Sequence, residues 1–327
     1  MRMTIAFIFV MLFALPAFCA KQYSYYRVGN PNDITTSTTP GTVLMGGGTD
    51  VDAAFQWMCQ RSRNGDFLVI RATGTDAYNP YIQQLCPNEN SVATLIIPNR
   101  TAASDPFVIS TIQNAEALWI AGGDQSNYIN YWQGTPVEQA LNGLIARGVP
   151  IGGTSAGMNV LSEFIYSALA SQGVTSSEAL ADPFSKYITL ARDFVNLSNL
   201  QGTIDDPHFV TRDRMGRDLA FMCRIYTNGW SSAPRAISID EKTALLIDSS
   251  GNGSVVGTST VYFMQAPGAP HVCQPGTPLT YQNIAVYRIH ASNTFNLSTW
   301  KGKGGTAYMV SANAGVLSST QPNGSIY

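Results

Sequence analysis

The sequence is poor in charge. Only 12% of its 327 residues are Asp, Glu, Lys or Arg, and the formal net charge is −2, against roughly 25% charged residues in an ordinary globular domain. Without a basic excess no surface is built to meet phosphates, which excludes a nucleic-acid binder. With 45% hydrophobic residues and so little net charge, disorder is excluded as well. Histidine is scarcer still, at three residues, and no C-x-x-C pair occurs. That supply builds no ordinary zinc site, and neither a metal nor another cofactor is expected. Beyond residue 20 no apolar run is long enough for a membrane span.

The first twenty residues stand apart. A short positive start (Met1-Arg2-Met3) leads into an apolar run over residues 5–15, and small residues with Pro16 break it. This is the pattern of a secretory signal peptide, expected over residues 1–20. Phe18 stands where a lipoprotein signal wants a small residue, which argues against a lipid anchor at Cys19. The expected location is secreted, or the lumen of the secretory or endolysosomal pathway. Four cysteines then remain: Cys59, Cys86, Cys223 and Cys273. An even number in an exported chain points to disulfides. Two lie in the first third and two in the last, which favours Cys59–Cys86 and Cys223–Cys273. Five N-x-[ST] sequons, at Asn99, Asn196, Asn252, Asn296 and Asn323, are glycan acceptors in a eukaryotic secretory path, making a glycoprotein.

Residues 21–40 are polar and rich in Thr, Asn and Pro, and read as an extended lead-in. Residues 41–327 read as one α/β domain. Short apolar strands are expected at 42–45, 66–71, 91–97, 117–121 and 149–152, alternating with helical patterns at 50–61, 78–85, 106–114 and between 126 and 147. That alternation means a parallel sheet covered on both faces. From about residue 235 the chain turns β-rich, with strands at 236–240, 243–248, 259–264 and 284–290 read as additions to the same domain. Glycine runs at 46–48, 122–123 and 152–153 fall at strand ends, where ligands sit in such sheets.

Gly153-Thr-Ser155-Ala-Gly157 matches G-x-S-x-G, in which small residues let a strand turn sharply into a helix and project the serine. A helix is expected to start near Met158. A serine nucleophile needs a base. Among His208, His271 and His290, His208 lies at a strand end followed by a loop, where catalytic residues belong. Seven of the chain's scarce charges fall between Asp205 and Asp218. Asp213–Arg217 and Arg214–Asp218 fit i,i+4 pairs on a solvated helix. The same arginines, next to His208, suit a carboxylate-bearing substrate.

Four segments carry a family resemblance: Leu44-Met-Gly-Gly-Gly48, Ala121-Gly-Gly-Asp-Gln125, Gly152-Gly-Thr-Ser-Ala-Gly157 and the stretch from Asp206-Pro-His to Arg217. Over residues 41–248 the chain resembles the cyanophycinase branch of the peptidase E-like serine peptidases. The resemblance implies a flavodoxin-like, class I glutamine amidotransferase-like fold with a parallel sheet. It implies hydrolysis at aspartyl residues, either β-Asp-Arg bonds or Asp-X peptides, through a Ser-His-Glu triad and no cofactor. Ser155 would be the nucleophile, His208 the base and Glu178 the acid, with Glu163 a rival. Gly123 and Ala156 would form the oxyanion hole. Asp124 and Gln125 would shape the pocket, and Arg212 and Arg214 would lie near substrate carboxylates. Relatives suggest a homodimer by analogy. Pro207 stands where bacterial cyanophycinases usually carry Gln. That departure keeps a catalytically silent secreted binding protein, for a carboxylate or peptide ligand, as an alternative. An esterase is the third reading, also G-x-S-x-G.

Overall fold

The computed structural model describes residues 21–170 and 172–327, so the expected signal peptide lies outside the described residues. The chain begins with β1 (Ser24–Gly29), β2 (Gly41–Met45), α1 (Asp52–Ser62), β3 (Asp66–Arg71), α2 (Tyr78–Leu85), β4 (Ser91–Ile96), α3 (Pro106–Gln113) and β5 (Ala117–Ile120). It continues through α4 (Gln125–Trp132), α5 (Pro136–Ala146), β6 (Ile151–Thr154) and the single turn α6 (Ala156–Asn159). Strands 4, 3, 5, 6 and 2 lie side by side and all parallel.

Both faces of that sheet are buried, which is why its strands read as unbroken apolar runs. Leu44, Leu68, Ile70, Leu118 and Ile120 face one core. Their alternates Val43, Met45, Phe67, Val69 and Trp119 face another, against Phe55 and Met58 of α1. Helix starts follow local chemistry. The Asp105 carboxylate accepts the Phe107 N–H at 2.8 Å ahead of α3, and Asp124 accepts the Ser126 N–H at 2.9 Å ahead of α4. Part of the expected lead-in is a strand: β1 pairs antiparallel with β4, and Arg27 reaches Asp66 at 2.8 Å.

The second half runs through β7 (Phe164–Tyr166), α7 (Ser176–Ala181), β8 (Leu190–Arg192), β9 (Thr203–Asp206), α8 (Met215–Thr227), β10 (Arg235–Ile239), β11 (Thr243–Asp248), β12 (Asn252–Gly257) and β13 (Val261–Gln265). β14 (Tyr281–Ile289), β15 (Thr294–Asn296), β16 (Lys301–Lys303), β17 (Thr306–Asn313) and β18 (Val316–Ser319) complete it. The helix expected from Met158 does not extend to Phe164. α6 stops at Asn159, and Phe164–Tyr166 is a strand.

The late strands divide between two sheets. β11 pairs antiparallel with β2, and β12, β15 and β16 follow outward to make a 10-stranded sheet. β10 lies parallel to β9 in an 8-stranded sheet that also holds β13, β14, β17 and β18. α8 packs its buried face, including Leu219, Phe221 and Met222, into the core of this second sheet. The β10–β11 connection therefore carries the chain from one sheet to the other. Both disulfides expected from sequence position are formed, Cys59–Cys86 and Cys223–Cys273. Among the described residues no helix is long and apolar enough to cross a membrane.

Candidate functional site

Ser155 sits at the end of β6, between the ends of its parallel neighbours β5 and β2. Its backbone is held at φ 53°, ψ −117°, a region costly for any residue with a Cβ. Small residues make the turn possible: a Cβ on Gly153 would stand 2.5 Å from the Gly157 carbonyl carbon, and one on Gly157 would clash with Ile120. The Ser155 N–H donates to Met45 O at 3.0 Å, tying the turn to β2.

The Ser155 hydroxyl lies 2.7 Å from Nε2 of His208. His208 follows β9 in the second sheet, is 5% exposed, and has φ +51°. Its N–H donates to Gly46 O at 2.8 Å. Gly47, at φ +92°, lies against the imidazole, and a Cβ there would come within 2.6 Å of Nε2. On the far side of the ring Nδ1 is 2.6 Å from Glu241 Oε1. With Nδ1–H donating to that carboxylate, Nε2 is left to accept a hydrogen bond from the Ser155 hydroxyl. Burial lowers the His208 pKa below its ordinary 6.5; Glu241 opposes the shift, and Arg212 and Arg214 add to it.

The acid expected from the resemblance is corrected. Glu178 is exposed in the first turn of α7. There its carboxylate accepts the Thr175 N–H at 2.9 Å, while the Thr175 hydroxyl accepts the Glu178 N–H at 3.3 Å. It is the acidic half of a capping box, engaged in holding a helix end. Its rival Glu163 is engaged too, accepting the Gly202 N–H at 2.6 Å and facing Arg192 at 3.5 Å. The carboxylate on His208 is Glu241, in the tight turn between β10 and β11. The sequence placed Asp240-Glu241 at the end of an apolar strand, where sites lie in this architecture, but did not pair it with His208.

Gly122 abuts the serine, since a Cβ on it would lie 3.5 Å from Ser155 Cβ. This places Gly122 beside Ser155. Ala156 is the first residue of α6, where the N–H has no partner inside the helix. The Asp124 carboxylate is engaged in capping α4, and Gln125 donates to Tyr166 O at 3.4 Å. Arg212 is 53% exposed, with Nε 3.8 Å from Glu241 Oε1.

The solvated-helix pairs are not formed. Arg217 is buried and holds Asp206 in a bidentate grip, with Nε donating to Oδ2 at 2.6 Å and Nη2 to Oδ1. Arg214 donates to the Pro207 carbonyl at 2.7 Å and to Asp206 at 3.1 Å. Burial pushes its pKa down to about 10. Asp218 accepts the Ser238 hydroxyl. Burial and the neighbouring Asp206 raise its pKa well above the ordinary carboxyl value. The charge cluster is thus largely internal, and Arg212 is its exposed cation beside the histidine. Among the described residues no group of three or more His, Cys, Asp or Glu is placed to hold a metal ion.

The chain is similar to known proteins. The chain is 24% identical over 211 residues to the cyanophycinase of Trichormus variabilis (strain ATCC 29413 / PCC 7937), a match covering 63% of this chain and 65% of that protein. It is 26% identical over 215 residues to the cyanophycinase of Synechococcus elongatus, covering 64% and 61%. The match thus spans less than two thirds of these relatives' own length. A solved peptidase from an acI-B1 actinobacterium shares the fold, at 17% identity and a TM-score of 0.53 over 80% of this chain and 98% of that one. The model of peptidase family S51 matches residues 83–252, just over half the chain. That stretch carries Ser155, His208 and Glu241 together, and the chain belongs to peptidase family S51.

Proposed function

We propose that this chain is an exported serine peptidase that hydrolyses amide bonds at aspartyl residues through an acyl-enzyme. The observation that carries the reading is the run from Ser155 Oγ to His208 Nε2 at 2.7 Å and from His208 Nδ1 to Glu241 at 2.6 Å, built on a strained strand-to-helix turn. Ser155 Oγ bonds to the scissile carbonyl carbon as its proton passes to His208 Nε2. Glu241 holds the ring in the required tautomer and stabilises the imidazolium that forms. The N–H groups of Gly123 and Ala156 receive the oxyanion. Collapse breaks the C–N bond, and His208 returns its proton to the leaving amine. Water, deprotonated by the same nitrogen, then releases the acid and frees Ser155.

For the substrate, the exposed Arg212 supplies a guanidinium beside the reacting groups, suited to a carboxylate. The relatives are cyanophycinases, and the bonds to test are the β-Asp-Arg and Asp-X linkages. Two disulfides support an oxidising, extracytoplasmic location. A fluorophosphonate probe is expected to label the wild type and to spare Ser155→Ala and His208→Ala. Equal labelling of wild type and Ser155→Ala overturns the assignment. Turnover of a β-Asp-Arg polymer measured against Asp-X dipeptides assigns the substrate.

A further inference from the structure

The loop that brings His208 to Ser155 carries two non-glycine residues at positive φ, His208 at +51° and Asp213 at +48°. Such a loop persists only where its surroundings hold it. Its first half is held from two sides: His208 N–H donates to Gly46 O at 2.8 Å, and the Asp240 carboxylate accepts both the Thr211 N–H at 2.9 Å and its hydroxyl at 2.8 Å. Its second half leads into α8, whose N-cap residue Arg214 supplies no capping side chain.

A residue more than a hundred positions away fills that role. The Tyr327 hydroxyl accepts the Met215 N–H at 2.9 Å, in the first turn of α8, and donates to Asp213 Oδ1 at 2.8 Å. Its ring stands edge-on to Phe209 at 5.5 Å and to Tyr262 at 6.1 Å. The segment delivering it is tied down: Tyr308 donates to Ile326 O at 3.0 Å, and Gln321 to Ser325 O at 2.9 Å. One phenol therefore clamps the residues on either side of Arg214, directly after Arg212.

We infer that Tyr327 is a positioning residue, which fixes the 209–214 loop so that Arg212 stands over Glu241 to receive the substrate carboxylate. This rests on the proposed peptidase reading for its kinetic readout. Tyr327 touches none of the reacting groups, and the Ser155–His208 bond is anchored at the other end of the loop through Gly46. Its loss therefore affects substrate capture and leaves the nucleophile intact.

The test uses the full chain with Tyr327→Phe and, separately, Asp213→Ala, which removes the side-chain acceptor of the Tyr327 hydroxyl. Each is expected to raise KM for a carboxylate-bearing substrate about fivefold, as for the loss of one ordered hydrogen bond, with kcat and the fluorophosphonate labelling rate held within about twofold. Tryptic cleavage after the exposed Arg212 is expected to accelerate in both variants, a readout independent of activity. Unchanged KM and unchanged tryptic cleavage overturn the inference. So does a labelling rate that falls in step with KM, since that marks a general loss of structure. Should Tyr327→Phe fail to fold, Asp213→Ala decides alone. Failure of the wild type to label counts against the peptidase reading, and tryptic cleavage still decides the role of Tyr327.

Discussion

Glu241 reaches His208 because β9 and β10 run parallel and in register. Asp206 faces Ser238 across that pair. The chain leaves β9 two residues before His208 and passes Ser238 three residues before Glu241, so both side chains emerge at one edge. They meet at 2.6 Å. The acid–base contact is thus a property of strand pairing, and residues far apart in the chain are held by a sheet instead of a flexible loop.

Glu241→Gln is expected to lower kcat by roughly 10⁴-fold, as when the acid of a serine triad is replaced by its amide, with the fold retained. Glu178→Ala is expected to leave kcat within about twofold, since its carboxylate is engaged with Thr175; it slightly lowers the melting temperature through the lost cap. Steady-state kinetics on both variants decides between the two acids, and a collapse of kcat in Glu178→Ala alone would overturn the assignment.

Gly47→Ala is expected to abolish turnover. A Cβ there would lie within 2.6 Å of His208 Nε2, at a backbone φ of +92°, so the ring must leave the hydroxyl or the loop must move. A loss of about 100-fold or more in kcat is expected. Gly202→Ala is the control. Its φ is also positive, at +73°, but nothing lies within 4 Å. It is expected to cost about 1 kcal/mol of stability and to leave kcat unchanged. Equal kcat losses in both would mean backbone strain is the cause, with no steric role for Gly47.

The pH–rate profile carries a sign. In the proposed mechanism His208 must be neutral to take the serine proton, and its pKa lies below the ordinary 6.5, through burial first and then through Arg212 and Arg214. The acid limb of kcat/KM is therefore expected below pH 6.5. Removing a neighbouring cation favours the imidazolium, so Arg212→Ala is expected to move that limb to higher pH. A limb that stays put in Arg212→Ala, or moves down, would show that Arg212 does not act on the ring.

How much of this was legible beforehand follows from which signals are local. The β2, β3, β5 and β6 strands are apolar runs ending in marked turns, and Gly153-Thr-Ser155-Ala-Gly157 is a local pattern, so both could be read. Glu178 shows the limit. Thr175-Ser-Ser-Glu178 is a capping-box sequence, a purely local motif, and a family expectation drew it toward His208. The contact between Glu241 and His208 depends on the pairing of β9 with β10, which no local pattern announces. The same holds for Arg217. Spacing pairs it with Asp213, but burial of α8 against the sheet gives it to Asp206.

Stability is expected to decline as pH rises from about 4.5 to about 8. Burial pushes the pKa of Glu89 up to about 7, that of Glu116 to about 7 and that of Asp205 to about 8. Each folded pKa lies above its unfolded value, so the folded state keeps a proton that the unfolded chain has already released. The stabilisation is complete below the unfolded pKa and is lost as pH climbs through the folded one. Asp206 has the opposite sign. Burial works against it, yet Arg217 and Arg214 hold its carboxylate below the ordinary range, so its contribution is lost only as pH falls below about 4. Together these place maximal stability on the acid side of neutrality. Melting temperatures measured from pH 5 to 9 are expected to fall, and Glu89→Gln and Asp205→Asn are each expected to flatten the slope. A melting temperature that rises from pH 5 to 8 would show that these carboxyls ionise in the folded protein as they do in water.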